Sequence, residues 1–173
     1  GWYFSGNPQF YMFSSERDEI FFFFFIIRSE AGIARSVFKN ATIKLQAEAG
    51  ITIGEKGVPY FDFLLGGYGF SSPNNLKYFY GYDFLSISGN SYLETTITFD
   101  YEVFKKNHIN FSANYANLED NLYQSINWIS LPKYSGYALG YGLETVIGPI
   151  EVKYSWSPEI SNSYLWFSVG FIF

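Results

Sequence analysis

Apolar and polar residues alternate along most of the chain from residue 40 to the C-terminal end. From Ala41 to Ile53 every odd position is apolar, whereas the even positions are mainly polar. The same period recurs at 93–103, 109–115, 137–143 and 150–156. A period of two places successive side chains on opposite faces of a β-strand. The pattern therefore predicts strands with one apolar and one polar face.

The length of these segments indicates the environment of the strands. They run about 9–15 residues, whereas strands of soluble proteins usually have about 5–6 and a tilted strand that crosses a bilayer needs about 9–11. The polar face carries Lys44, Glu48, Glu94, Asp100, Glu102, Glu151 and Lys153. So many charges are too costly for a dry core but are hydrated in a lumen, so the apolar face is the outer one. The predicted fold class is all-β, an antiparallel transmembrane β-barrel.

Composition supports this class and excludes several functions. Aromatic residues make up 23% of the chain. Several lie near segment ends, as expected for interfacial girdles: Tyr60, Tyr101, Tyr134, Trp156 and Tyr164. The chain has no Cys and one His, so neither a thiolate nor a His-cluster metal site is expected. The net charge of −5 argues against a nucleic-acid partner. We expect no metal and no cofactor.

We predict about nine strands in a single domain spanning residues 1–173. They lie near 2–14, 19–32, 39–54, 59–69, 92–104, 107–118, 134–147, 149–157 and 163–173. Single-chain bacterial barrels have an even number of strands, so an odd count indicates a miscount or a chain that supplies only part of a barrel. The sequence permits either a removed signal peptide or a piece of a longer protein.

The longest apolar run, Ile20 to Ile27, is shorter than the about 20 residues of a membrane-spanning helix. Unlike the later segments, it does not alternate. We interpret it as a strand whose inward Phe residues pack against a plug or loop. A lateral lipid contact or an oligomer seam is the alternative interpretation.

The last segment alternates up to an aromatic terminus. Its apolar set is Leu165, Phe167, Val169, Phe171 and Phe173. This pattern resembles the C-terminal signature of outer-membrane β-barrels, which the barrel assembly machinery reads. The resemblance implies that these residues form an assembly signal. The alternative is a lipid-facing last strand with no such role.

Further motifs resemble one barrel superfamily. The stretch 64–67 (Leu-Leu-Gly-Gly), a long loop, 79–84 (Phe-Tyr-Gly-Tyr-Asp-Phe) and 88–90 (Ser-Gly-Asn) are similar to the late barrel of the bacterial surface antigen superfamily, which contains outer-membrane assembly and two-partner secretion proteins. There an extracellular loop folds back into the lumen. The resemblance implies an inward-folding loop at about 70–92, with a tip motif at Tyr80, Gly81 and Tyr82.

The tip also departs from the superfamily pattern. The loop-tip Arg of the superfamily falls on Tyr80, and its Asp partner inside the barrel falls on Asn114. Both members of the ion pair are absent together, so we expect a neutral hydroxyl–amide hydrogen bond between Tyr80 and Asn114 in the lumen. On this view Arg at 80 combined with Asp at 114 recovers the stability that Asp at 114 alone would lose.

Within the superfamily, residues 81–159 look most like Bacteroidetes-type patatin-like phospholipases. That likeness implies the C-terminal part of a sixteen-stranded barrel in the Gram-negative outer membrane. It further implies a membrane anchor or translocation pore for an N-terminal lipid acyl hydrolase domain, and hence a link to lipid metabolism. The implied partners are outer-membrane lipids, the barrel assembly machinery, and remaining strands or another chain that closes the barrel. An assembly or secretion barrel and a small structural or adhesin barrel stay open as alternatives.

No catalytic residue is expected in the chain itself. A patatin domain needs a nucleophilic Ser in a Gly-x-Ser-x-Gly elbow, and that motif does not occur here. We interpret the carboxylates of Asp100 and Glu102 as hydrated lumen groups and those of Glu119 and Asp120 as part of an exposed loop. His108, next to a Lys-rich turn, is interpreted as a solvated interface residue.

Overall fold

The computed structural model describes residues 1–14, 21–54, 62–68, 75–124, 128 and 130–170. The described part is built from β-strands, with one short 3₁₀ helix at Leu122–Gln124. In these residues no helix is long and apolar enough to cross a membrane.

Eight strands form one antiparallel sheet. Their bounds are β1 Trp2–Ser14, β2 Phe21–Phe38, β3 Ala41–Gly54, β7 Ser91–Phe104, β8 Asn107–Glu119, β9 Tyr134–Thr145, β10 Gly148–Trp156 and β11 Ser163–Val169. They pair in chain order, and β1 and β11 are the two edges of the sheet as described. The alternating segments thus form long neighbouring strands, and the antiparallel all-β fold class is confirmed.

The strand predicted at 59–69 is wrong as a member of this sheet. In the described part of that segment only Phe63–Leu65 forms a strand, β4, which joins β5 (Leu76–Lys77) and β6 (Ile87–Gly89) in a separate three-stranded sheet. Two glycines with positive φ, Gly66 (134°) and Gly67 (78°), turn the chain directly after β4. Among the described residues the main sheet therefore has eight strands rather than nine, an even number.

The two faces of the main sheet have inverted polarity compared with a soluble protein. Apolar side chains are exposed on one face; Leu139 and Leu165, for example, are 50% and 73% exposed. Polar and charged side chains are buried on the other face, including Lys153 (4% exposed) and Ser155 (0%). Such an arrangement is unfavourable for a sheet surrounded by water. It is favourable where the apolar face contacts lipid and the polar face is covered by other parts of the protein.

The small sheet lies on the polar face and forms an apolar cluster with it. The buried members of the cluster are Ile26, Phe63, Leu65, Phe79, Tyr82, Ile87, Tyr92, Ala116 and Leu118. They come from the small sheet, from the loop around it and from strands β2, β7 and β8. Burial of these side chains provides the main apolar driving force that holds the small sheet against the wall.

The Phe-rich run does alternate once it is folded. Phe23, Phe25 and Ile27 are exposed on the apolar face, while Phe24 and Ile26 are buried on the opposite face. Ile26 belongs to the cluster that includes residues of the small sheet, so the inward face of this run meets the loop at Ile26, whereas the prediction named the Phe residues. The side chains at 20–22 lie outside the described residues.

Candidate functional site on the polar face of the sheet

The candidate site is formed by the segment that connects β3 to β7, whose described residues 62–68 and 75–90 we call the inner loop. The inner loop lies against the polar face of β8, β9 and β10. Between Tyr134 and Glu144, this face of β9 carries only Gly136, Ala138, Gly140 and Gly142, so the middle of the strand forms a strip with almost no side chains. A Cβ atom added at Gly136 would clash with the backbone carbonyl of Tyr80. The glycine strip therefore lets the backbone of the loop tip approach the wall directly.

Gly81 completes this close fit. Its φ of +77° is a conformation that side-chain-bearing residues rarely adopt. A Cβ atom here would also clash with the backbone of Trp156, at the end of β10. Two separate constraints therefore require glycine at the tip.

Asn114 joins the loop tip to the wall. Its side chain is fully buried, and Tyr80 is 4% exposed. The amide oxygen of Asn114 accepts from the backbone N–H of Tyr80 at 3.1 Å, and its nitrogen donates to the carbonyl of Gly136 at 3.1 Å. The structure thus brings Tyr80 and Asn114 together, but not through the expected hydroxyl–amide bond, because the Tyr80 side chain points elsewhere.

The hydroxyl group of Tyr80 faces Lys153 of β10. Lys153 Nζ donates to the hydroxyl groups of Tyr68 and Tyr80 at 3.3 and 3.4 Å. It also lies 4.4 and 5.2 Å from the centroids of their rings. Glu151 Oε1 lies 3.1 Å from the same ammonium group and accepts from Asn110 at 2.8 Å. Lys153 is thus a buried cation with a carboxylate partner from the wall and two aromatic partners from the loop, contacts that stabilise a desolvated ammonium group.

Tyr82 anchors the other side of the tip to the β10–β11 connection. Its hydroxyl group donates to Glu159 at 3.1 Å, and Ser135 donates to the same carboxylate at 2.6 Å. Burial, the largest effect, raises the pKa of Tyr82 to about 12. Burial also acts to raise the pKa of Glu159, but hydrogen bonds from Ser135, Ser157 and Tyr82 outweigh it and lower that pKa. The carboxylate form of Glu159 is therefore the form that the tip binds.

A second set of contacts lies on the adjoining strands β3 and β7. Lys77 of β5 forms an ion pair with Glu48 of β3, with 2.6 Å between Nζ and Oε2. Both groups line a cavity of about 270 Å³ together with Glu30 and Glu94. Tyr92 of β7 donates to Glu48 at 3.4 Å. The inner loop thus contacts the wall at two neighbouring places, and Glu94 lies between them, 3.5 Å from the amide group of Asn114.

The remaining sequence-predicted residues lie as follows. Leu165, Phe167 and Val169 are exposed on the apolar face of β11, while Phe171 and Phe173 lie outside the described residues. His108 is partly exposed, at 24%, and its Nδ1 lies 2.9 Å from Asp100. Among the described residues no group of three or more His, Asp or Glu side chains is arranged to hold a metal ion.

Sequence reasoning missed the roles of Lys153, Lys77 and Tyr68. Alternation placed Lys153 on the polar face, but the distance of 85 residues to Tyr68 hides their contact. The available signal was a lysine on the same face of β10 as Glu151. These two charges can be hydrated in an open lumen, but under a covering loop they need partners from the protein.

The geometry defines a class of protein. A long-stranded antiparallel sheet that is apolar outside and carries a covered polar face is the wall of a membrane β-barrel. A family model described as the OMP85 superfamily matches residues 1–173, so the chain belongs to the OMP85 superfamily. Proteins of this superfamily are outer-membrane barrels of Gram-negative bacteria, and the chain is therefore outer-membrane barrel wall. No curated protein matches the chain.

Proposed function

We propose that the chain is part of an outer-membrane barrel that is closed by further strands and serves as membrane anchor or translocation pore for an N-terminal lipid acyl hydrolase domain. The observation that carries the barrel role is the inverted polarity of the sheet, with exposed Leu139 and Leu165 on one face and buried Lys153 on the other. The outer membrane of a Gram-negative cell is the matching location.

The size of the inner loop is evidence that the barrel is closed by strands other than these eight. The interior of an eight-stranded barrel is just wide enough for its own side chains. Here the polar face carries a whole three-stranded sheet in addition to its own side chains. A barrel that encloses both needs more strands, supplied by another part of the same polypeptide or by another chain. This argument disfavours the small structural or adhesin barrel.

The acyl hydrolase assignment is supported by the likeness of residues 81–159 to patatin-like phospholipases. The chain itself has no Gly-x-Ser-x-Gly elbow, so the proposed chemistry belongs to a separate domain. An assembly or secretion barrel is the second candidate, and membership of the OMP85 superfamily favours it.

The coding sequence upstream of Gly1 and an activity assay test this proposal together. We expect an upstream domain with the elbow motif, and hydrolysis of short acyl esters by the complete protein that is lost when the elbow Ser is changed to Ala. Residues 1–173 purified alone should show no turnover above buffer. Tandem linking domains upstream in place of the elbow would support the assembly or secretion barrel and overturn the anchor proposal.

Fractionation of the Gram-negative host provides the test of location. The complete protein should migrate as a heat-modifiable band in the outer-membrane fraction. Recovery in the soluble fraction would contradict the barrel role whatever the activity of the upstream domain.

A further inference from the structure

Three neighbouring strands place glutamates side by side on the polar face of the sheet. Glu30 of β2 is the direct register partner of Glu48 of β3, and Glu48 is the direct partner of Glu94 of β7. We call these three residues the acidic row. Like charges directly opposite on neighbouring strands destabilise a sheet, and Glu94 is also 5% exposed. The wall brings one cation of its own, Arg28 of β2, which lines a cavity with Glu30, Glu48 and Lys77. Three carboxyl groups beside one guanidinium group still favour a second positive charge here.

The inner loop supplies that charge through Lys77. Its ammonium group pairs with Glu48 at 2.6 Å, and the two side chains are only 14% and 19% exposed. Strand β5 pairs with β4 in parallel register, Leu65 opposite Lys77, and the backbone N–H of Gly66 donates to the carbonyl of Lys77 at 3.1 Å. The backbone of Lys77 is thus held in place by the hydrogen bonds of the small sheet.

We propose that Lys77 is the counter-ion that the inner loop contributes to the acidic row, and that it forms a second anchor that fastens the inner loop to strands β2, β3 and β7. The first anchor is the set of contacts of Asn114 and Lys153 with the tip on strands β8 to β10. The inner loop is then a strap fixed to two parts of the wall by different chemistry. This inference concerns only contacts between the inner loop and the wall, so it does not depend on which domain or function is attached to the barrel.

The two anchors respond differently to a change of charge. Removing the charge of Lys77 leaves the acidic row without its loop cation and releases only that end of the strap. The tip keeps its backbone hydrogen bonds and its contacts with Lys153. Restoring a cation by Lys77→Arg, or exchanging the pair by Lys77→Glu with Glu48→Lys, restores the attraction, because the pair needs opposite signs rather than particular residues.

Single cysteines report each anchor, because residues 1–173 contain no Cys. Thr96→Cys lies in the cavity beside Lys77, and Ser112→Cys lies in the cavity beside Tyr80; the two cavities adjoin at Gln46 and Tyr78. Both wild-type side chains are buried. The complete protein in outer-membrane vesicles is labelled with an uncharged maleimide. The labelling rate then does not depend on electrostatic attraction between the reagent and the charges that the variants change. Heat-modifiable migration checks that each variant is a folded barrel.

Lys44→Gln is the matched control. Lys44 projects from the polar face of β3, as Glu48 does, but forms no salt bridge with a described residue. We expect Lys77→Gln to increase the labelling rate of Thr96→Cys at least fivefold and to leave Ser112→Cys unchanged. Lys77→Arg, the exchanged pair and Lys44→Gln should label at the rate of the parent.

Three outcomes would overturn the proposal. Equal acceleration at both reporters would mean that the loop moves as one body. Equal behaviour of Lys77→Gln and Lys77→Arg would show that the charge is not what holds this end. Unchanged labelling of Thr96→Cys in Lys77→Gln would show that the apolar cluster alone holds it.

Discussion

Asn114→Asp changes one atom at the place where the loop tip meets the wall. The new carboxylate can still accept from the backbone N–H of Tyr80, but it has no donor for the carbonyl of Gly136, 3.1 Å from the present amide nitrogen. Two oxygen atoms then face each other at a fully buried position. The carboxyl group of Glu94 lies 3.5 Å from the same amide group, so the substitution also brings two acidic groups together.

The expected cost follows from these contacts. An unsatisfied buried carbonyl costs about 1–3 kcal/mol. A buried charge without a partner raises the total to about 3–5 kcal/mol of the free energy of unfolding. Glu94→Gln should recover part of this loss, because it removes the adjacent acidic group.

Tyr80→Arg should not recover it, contrary to the sequence-based expectation. The side chain at 80 points towards Lys153, whose Nζ lies 3.4 Å from the Tyr80 hydroxyl group. An arginine there meets a second buried cation rather than the carboxylate at 114. The combination of Tyr80→Arg and Asn114→Asp should therefore be no more stable than Asn114→Asp alone.

Urea unfolding of the complete protein in lipid vesicles, followed by tryptophan fluorescence, measures these differences. Asn40→Asp is the control, since Asn40 is in an exposed turn and donates one hydrogen bond. A loss below about 1 kcal/mol for Asn114→Asp, within the range of one neutral hydrogen bond, would refute the reasoning. So would recovery by Tyr80→Arg.

Further predictions concern the glycine strip, the C-terminus and acid stability. Gly136→Ala should destabilise the barrel by about 1–3 kcal/mol, since its Cβ meets the Tyr80 carbonyl, whereas Gly142→Ala, with its nearest atom at 3.9 Å, should not; urea midpoints compare them. Deleting Phe173 should reduce the heat-modifiable barrel in membranes; an unchanged yield would exclude an assembly signal there. Because its pKa is lowered in the fold, the carboxylate of Glu159 contributes stability above the ordinary glutamate pKa of about 4.3. This contribution is lost as the pH falls through the lowered pKa, so Glu159→Gln should flatten the acid limb of a stability–pH curve.

Alternation predicted most strands because it reports which face each residue occupies. It failed at 59–69, where apolar residues also occur at every second position near Phe63 and Leu65. Both side chains are fully buried in the described structure, in the apolar cluster that the small sheet forms with the wall and not towards lipid. A short alternating stretch cannot distinguish lipid from a protein core, because both accept apolar side chains.

The candidate site was predictable only in part. The resemblance to the superfamily pointed to Tyr80, Gly81, Tyr82 and Asn114, and the structure places them at one junction. It did not indicate that Asn114 contacts the Tyr80 backbone, because side-chain direction in a loop depends on the wall that the loop meets. The glycine strip on β9 was visible as Gly136, Gly140 and Gly142 in the sequence, but its use as a seat for the loop was not.

The sequence by itself determined the class of the protein, because period two, strand length and the charges of one face are local properties that the bilayer selects. Only the tertiary structure decided which residues hold the inner loop. Lys77 meets Glu48 across 29 positions, and Lys153 meets Tyr68 across 85. Such contacts depend on register across several strands and on where a loop folds back. No local sequence pattern encodes these contacts, because the free energy that selects them comes from burying the surface of the inner loop and the polar face of the wall against each other.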